Sequence, residues 1–171
     1  MNRGAFYYVM IPLLLVAGLL QSTATTRIEI RGVKPDLVLL LIIAGTLVYG
    51  SRPGLVWAFI GGIALDSFSG GPMGASSLAL MAATLAAGLG HRTLSRYNLL
   101  VPLGAAAIGT AIYGLTYLAI LFVLDVFNIV QHRVPLVEMV QYVMAPAIAY
   151  NTVLMLAAMP FLNRLPESQD I

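Results

Sequence analysis

Hydrophobic residues run along this chain in long unbroken blocks, and charged residues fall almost entirely between the blocks. A half-buried strand alternates apolar with polar positions, and a helix at the surface of a soluble domain repeats its apolar face about every 3.6 residues. Neither period dominates here, and blocks of this kind predict helices whose outer faces meet lipid. The first block covers residues 4–26, with its apolar centre at 9–20 and Pro12 near its start. The second and third cover 37–50 and 53–68, and a fourth, rich in Ala, Ser, Thr and Gly, covers 73–90. A fifth runs over 100–124 and a sixth over 140–162, interrupted by Pro146 and closed by Pro160. The expected fold is all-α, a polytopic membrane protein of about six transmembrane helices. One integral membrane domain spans residues 1–165, followed by a short polar tail at 166–171.

The polar punctuation refines this picture. Residues 27–36 are the most charged stretch, and the alternation of Ile28, Ile30 and Val33 suits a short extended loop. Pro35 then biases Lys34 away from the helical region, and Asp36 stands ready as an N-cap or first-turn carboxylate for the next helix. Ser51, Arg52, Pro53 and Gly54 read as a tight turn with Pro53 at the first turn of the third helix, so the second and third helices form an antiparallel hairpin. That third helix rises only about 24 Å, less than the roughly 30 Å hydrocarbon layer, which puts Asp66 near the far interface. Arg3, an apolar block and the small residues Ser22, Thr23 and Ala24 also have the texture of a signal peptide; the later blocks of the same texture favour a first span.

Composition fixes the class. The chain is 60% hydrophobic and 9% charged, with a mean hydropathy of +0.91, against roughly 25% charged residues in a soluble domain. With Cys 0 and two distant His, no disulfide, thiolate or zinc site is expected, and no metal or cofactor. A net charge of +2 without a basic patch interleaved with aromatics argues against nucleic acid. With both termini cytoplasmic, Arg3, Arg52, Arg92, Arg96 and Arg164 fall inside and Arg27, Arg31, Lys34 and Arg133 outside, a thin positive-inside bias. Tyr7, Tyr8, Trp57, Tyr97 and Tyr142 are candidate interfacial anchors.

Asp66 is the candidate with most chemistry. An ionisable group on a membrane helix costs roughly 3 kcal/mol on insertion scales, so it faces protein or a polar cavity. It is expected to accept hydrogen bonds from the amides of Ser69 or Gly70, or to pair with an arginine; with no second acid or histidine within a helical turn, a structural role outweighs a proton relay. Small residues recur four apart at Gly50 and Gly54, Gly70 and Gly74, Thr84 and Gly88, and Ala105 and Gly109, a spacing that lets helices approach closely. Gly61 and Gly62 lie in mid-helix, where each costs about 1 kcal/mol against alanine and usually has a packing reason. Gly54, Gly61, Gly62, Asp66, Gly70, Gly71, Pro72 and Gly74 together are expected to form a partner-binding surface, with bulk at Gly62 blocking a partner helix. No catalytic residue is expected: Ser76 and Ser77 lack a nucleophile's glycine pattern, His91 abuts Arg92 at a helix end, and Asp36 and Asp66 belong near one outer edge of the hairpin.

The stretch Lys34-Pro-Asp-Leu-Val-Leu-Leu40, then Gly54, then Gly61-Gly62-Ile-Ala-Leu-Asp66, then Ser69-Gly-Gly-Pro-Met-Gly74 with Leu78 and Ala79, resembles the MreD family of rod shape-determining membrane proteins. The match of motif covers residues 35–80, and the remainder agrees in hydropathy. The resemblance implies a non-enzymatic scaffold subunit of the bacterial cell-elongation (rod) complex in the inner (cytoplasmic) membrane. Its implied partners are the bitopic protein MreC and, in a larger complex, RodA, a class B penicillin-binding protein and MreB, in support of lateral peptidoglycan synthesis. It also implies a fold similar to the substrate-binding subunits of energy-coupling-factor transporters, with a central cavity. The alternative from a different class is a small-molecule-binding subunit of a membrane transporter, whose pocket would draw on Asn98, Tyr113, Thr116, Tyr117, Gln141, Tyr142, Tyr150, Asn151 and Thr152.

Overall fold

The computed structural model of this chain describes residues 3–23, 35–90, 100–127 and 138–162, and among them every regular element is helical. These are α1 (Arg3–Thr23), α2 (Leu37–Tyr49), α3 (Ser51–Ser69), α4 (Ala75–Gly88), α5 (Leu100–Val126) and α6 (Ala145–Leu162), the last continuous with a π-helical stretch at Met139–Met144. The extended segment expected at 27–34, His91 and Arg92, Tyr97, the tail, and the cations Arg27, Arg31, Lys34, Arg96, Arg133 and Arg164 lie outside the described residues.

Asp36 starts α2 as an N-cap, its Oδ1 accepting the Leu39 N–H at 3.0 Å. Gly50 alone joins α2 to α3: its φ of 89° reverses the chain in one residue, and its N–H returns to the Thr46 carbonyl at 2.8 Å. Ser51 to Gly54 are thus the first turn of α3 and not the connecting turn that their composition suggests. Pro53 is tolerated there because first-turn N–H groups have no intrahelical partner.

Helix α2 is apolar on all sides, which marks a helix buried all round. It packs against α1, α3, α4, α5 and α6, while those five follow one another around it in the order α1, α3, α4, α5, α6. Leu39, Ile42, Ile43 and Leu47 of α2 form the core with Leu14, Trp57, Leu80 and Met155 from the surrounding helices. Trp57 is 1% exposed, edge-on to Tyr49 with ring centroids 6.1 Å apart. Its indole fills the space left by Gly45, where a Cβ would come within 2.7 Å of the ring. Trp57 is therefore a core residue and not an interfacial anchor, whereas Tyr8 and Tyr142 are exposed.

Two helical stretches are long and apolar enough to cross a membrane, Leu100–Val126 and Met139–Ala158. The 13 residues of α2 and the 14 of α4 rise only about 20 Å, short of the roughly 30 Å hydrocarbon layer. Enclosure resolves this for α2, because its ends meet protein in place of acyl chains. The outward faces of α5 and α6 carry exposed Ile108, Leu115, Phe122, Val153 and Leu156, as lipid-facing helices do.

The interruption expected at Pro146 takes the form of the π-helical stretch just before it. Proline crowds the carbonyl four residues earlier, and a widened turn gives that carbonyl room. The Ala145 N–H accordingly donates to the carbonyl of Val140, five residues back. Pro160 does not close the last helix; α6 continues to Leu162.

Candidate functional site

Two buried polar centres lie at the same end of the α2–α3 hairpin, one at the start of α2 and one at the end of α3. The second is built by a change of direction. Gly70, at φ 68°, ends α3 with its N–H on the Asp66 carbonyl, and Gly74, at φ 90°, begins α4. A glycine N-cap has no side chain with which to satisfy the free N–H groups of the new helix. The Asp66 carboxylate, 1% exposed, supplies what Gly74 lacks: Oδ2 accepts the Gly74 N–H at 2.7 Å and Oδ1 accepts the Ser76 N–H at 3.2 Å. A carboxylate at a helix N-terminus is also favoured by the helix dipole. The donors are therefore the first amides of α4, not those of Ser69 or Gly70, because the left-handed turn carries the chain back over the end of α3.

The glycines expected to face a partner divide into two groups. Gly54, Gly61 and Gly62 are buried against the chain itself. A Cβ on Gly62 would overlap the Ser77 backbone, one on Gly54 would overlap Thr46 and crowd Thr84, and one on Gly61 would come within 3.0 Å of Val38. Gly88 approaches Ser51 in the same way, so Ser51–Gly88, Gly54–Thr84 and Gly62–Ser77 are successive rungs of one antiparallel α3–α4 contact. The Ser77 hydroxyl locks it by donating to the Phe59 carbonyl at 3.1 Å. The small-residue spacing thus serves closure within the bundle at these positions. The remaining residues, Gly70, Gly71, Pro72 and Gly74, form the turn itself, where Gly70 is exposed beside an exposed Met73.

The other centre joins four helices. Besides capping α2, Asp36 Oδ1 accepts Gln21 Nε2 from α1 at 3.2 Å, and Gln21 Oε1 accepts the Val38 N–H at 3.2 Å. The Asp36 N–H donates to Asn151 Oδ1 of α6 at 3.1 Å, and Asn151 Nδ2 donates to Thr110 Oγ1 of α5 at 3.3 Å. Pro35 belongs to the chain segment that delivers Asp36, and is half-buried. The expected site residues do not include Gln21 and Thr110; Thr110 is an isolated hydrogen-bonding side chain within the apolar block 105–112, a signal that could have found it, whereas Gln21 opens a polar run with Ser22 and Thr23 and carries no such signal.

Beside this cluster lies a cavity of 280 Å³ between α5, α6 and the π-helical stretch. Of the expected liners, Tyr113, Tyr117 and Asn151 line it, together with Asp36 and Thr110, whereas Thr116, Gln141, Tyr142, Tyr150 and Thr152 do not and Asn98 lies outside the described residues. The two tyrosines, one helical turn apart, stack with centroids 6.2 Å apart. A Cβ on Gly71 would come within 3.0 Å of the Tyr117 hydroxyl, which brings one lining residue of the cavity up to the turn after α3. The cavity thus opens directly on the Asp36 centre, while Asp66 is not among the residues that line it. Met144 closes in on α5 at Gly114, where a Cβ would meet its Cγ and Sδ at 3.0 Å.

The family model described as rod shape-determining protein MreD matches residues 2–167 of this chain. No curated protein and no solved structure matches it.

Proposed function

This chain belongs to the MreD family of rod shape-determining membrane proteins, and from that premise we propose that it is a non-enzymatic scaffold of the bacterial rod complex that binds an MreC-type bitopic partner. The observation that carries the reading is the family match over nearly the whole chain. The geometry supports it in two ways. Asp66, Asp36, Thr110 and Asn151 each take part in hydrogen bonds that tie one helix to another, as a structural role requires. The turn at 70–74 is held rigidly from beneath by Asp66 yet leaves Gly70 and Met73 on the outside, a preorganised surface that orders little on binding.

In this reading Gly54, Gly61 and Gly62 close α3 against its neighbours, Asp66 holds the turn, and Gly70, Gly71, Pro72 and Met73 touch the partner. RodA, a class B penicillin-binding protein and MreB join through the larger complex in the inner membrane, with both termini of this chain in the cytoplasm and lateral peptidoglycan synthesis as the process served. The test is photocrosslinking in cells with a benzophenone amino acid at Met73, and at Val153 on the outer face of α6 as the comparison. A crosslink to the bitopic partner from Met73 is the expected result. Failure of the full-length chain to co-purify with any such partner overturns the scaffold reading, and crosslinking from Val153 alone moves the contact to the other side of the bundle.

A further inference from the structure

The cavity between α5 and the π-helical stretch carries chemistry that helix packing leaves unused. Its 280 Å³ holds on the order of nine water-sized groups at about 30 Å³ each, the bulk of a small headgroup with its first chain carbons. One end is polar. Asp36 Oδ1 is taken by the Leu39 N–H and the Gln21 amide, whereas Oδ2 has no hydrogen-bond donor among the described residues, and no cation there pairs with it. The other end is apolar, lined by Leu118, Met139, Val143 and Met144. No residue of the π-helical stretch is buried, and it opens a stretch long and apolar enough to cross a membrane, so this wall faces the outside of the bundle. Widened turns of this type recur at functional sites, and this one turns Met139, Val143 and Met144 into the cavity.

We propose that the cavity binds an amphiphile that enters from the bilayer: an aliphatic chain ending in a hydroxyl or amine, which donates to Asp36 Oδ2 while the chain lies along Met139, Val143 and Met144. An anionic headgroup is disfavoured, because it would face the Asp36 carboxylate in a medium that screens poorly. The site depends on the chain residing in a membrane and not on which protein it binds, so loss of the partner contact leaves it standing.

The experiment is photolabelling of the purified full chain in detergent with a diazirine-bearing dodecylamine, mapped by peptide mass spectrometry. Labelling is expected to concentrate within 139–147 and to be competed by dodecylamine and dodecanol, with dodecanoate about fivefold weaker or worse. Ala147→Phe fills the cavity from α6 while leaving every hydrogen-bonding side chain of the cluster in the sequence, and is expected to cut labelling about fivefold with a cooperative melt retained. Asp36→Asn should weaken competition by dodecylamine more than by dodecanol, and Ala147→Phe keeps the test valid if that variant does not fold. Repeating the labelling in nanodiscs separates the sources. Suppression in phosphatidylethanolamine, whose headgroup has N–H donors, but not in phosphatidylcholine identifies a bilayer lipid, and equal labelling in both identifies a free amphiphile. Labelling spread over the lipid-facing surface, insensitive to Ala147→Phe, or competed equally by dodecanoate overturns the proposal.

Discussion

The carboxylate of Asp66 caps a helix that begins eight residues later, accepting the Gly74 N–H at 2.7 Å. One side chain thereby ties the last turn of α3 to the start of α4 and holds the turn between them. Removing it strands two amides, of which that of Ser76 is buried, at a cost of about 1–3 kcal/mol for each unsatisfied group. Asp66→Ala is expected to lower the melting temperature in detergent clearly, and Asp66→Asn, which keeps one acceptor oxygen, to lower it less. Equal melting of Asp66→Ala and wild type would remove the cap from the account.

Bulk at Gly62 acts on folding before it acts on any partner. A Cβ there meets the Ser77 backbone, which cannot move without shifting α4, whereas at Gly61 it meets only the end of the Val38 side chain. Gly62→Ala should therefore destabilise more than Gly61→Ala, within the roughly 1–3 kcal/mol typical of overpacking. Unfolding measured for both variants in the same detergent checks the order, and a Gly62→Ala protein as stable as wild type would exclude the close α3–α4 contact.

Asn151 holds α6 to the start of α2 and to α5 through the Asp36 N–H and the Thr110 hydroxyl. Interhelical bonds in membrane proteins average about 0.6 kcal/mol and reach about 1.7 kcal/mol. Asn151→Leu and Thr110→Val are each expected to destabilise, and the double variant to fall short of their sum because the Asn151–Thr110 bond is then lost once. Strict additivity in that cycle would separate the two residues energetically.

Trp57 is the single tryptophan of the chain and sits in the protein core, so its fluorescence reports the packed bundle. Emission should be blue-shifted and resistant to quenching both by acrylamide and by brominated lipid. Quenching by brominated lipid would return Trp57 to the lipid interface. Trp57→Ala should cost about 3–5 kcal/mol through the space it opens against Gly45 and Tyr49.

The sequence by itself determined the class and much of the scaffolding. Apolar blocks without period, few charges and a punctuating Pro35-Asp36 were enough to place a membrane bundle of six helices and to cap α2, because these features act on neighbours along the chain. Likewise Gly61-Gly62 and Asp66 announced themselves as costly residues that need a reason. Only the tertiary structure decided what those reasons are. Whether a glycine faces a partner or its own chain depends on which helices close against it, and Gly62 closes on Ser77. Whether Asp66 meets the amides of its own turn or those of the next helix depends on two left-handed glycines, and whether Trp57 lies at the interface or in the core depends on the space beside Gly45. The tie among Gln21, Asp36, Thr110 and Asn151 joins residues up to 115 positions apart. Sequence spacing carries no trace of such a contact, since hydrogen bonds and close packing are set by distance in space.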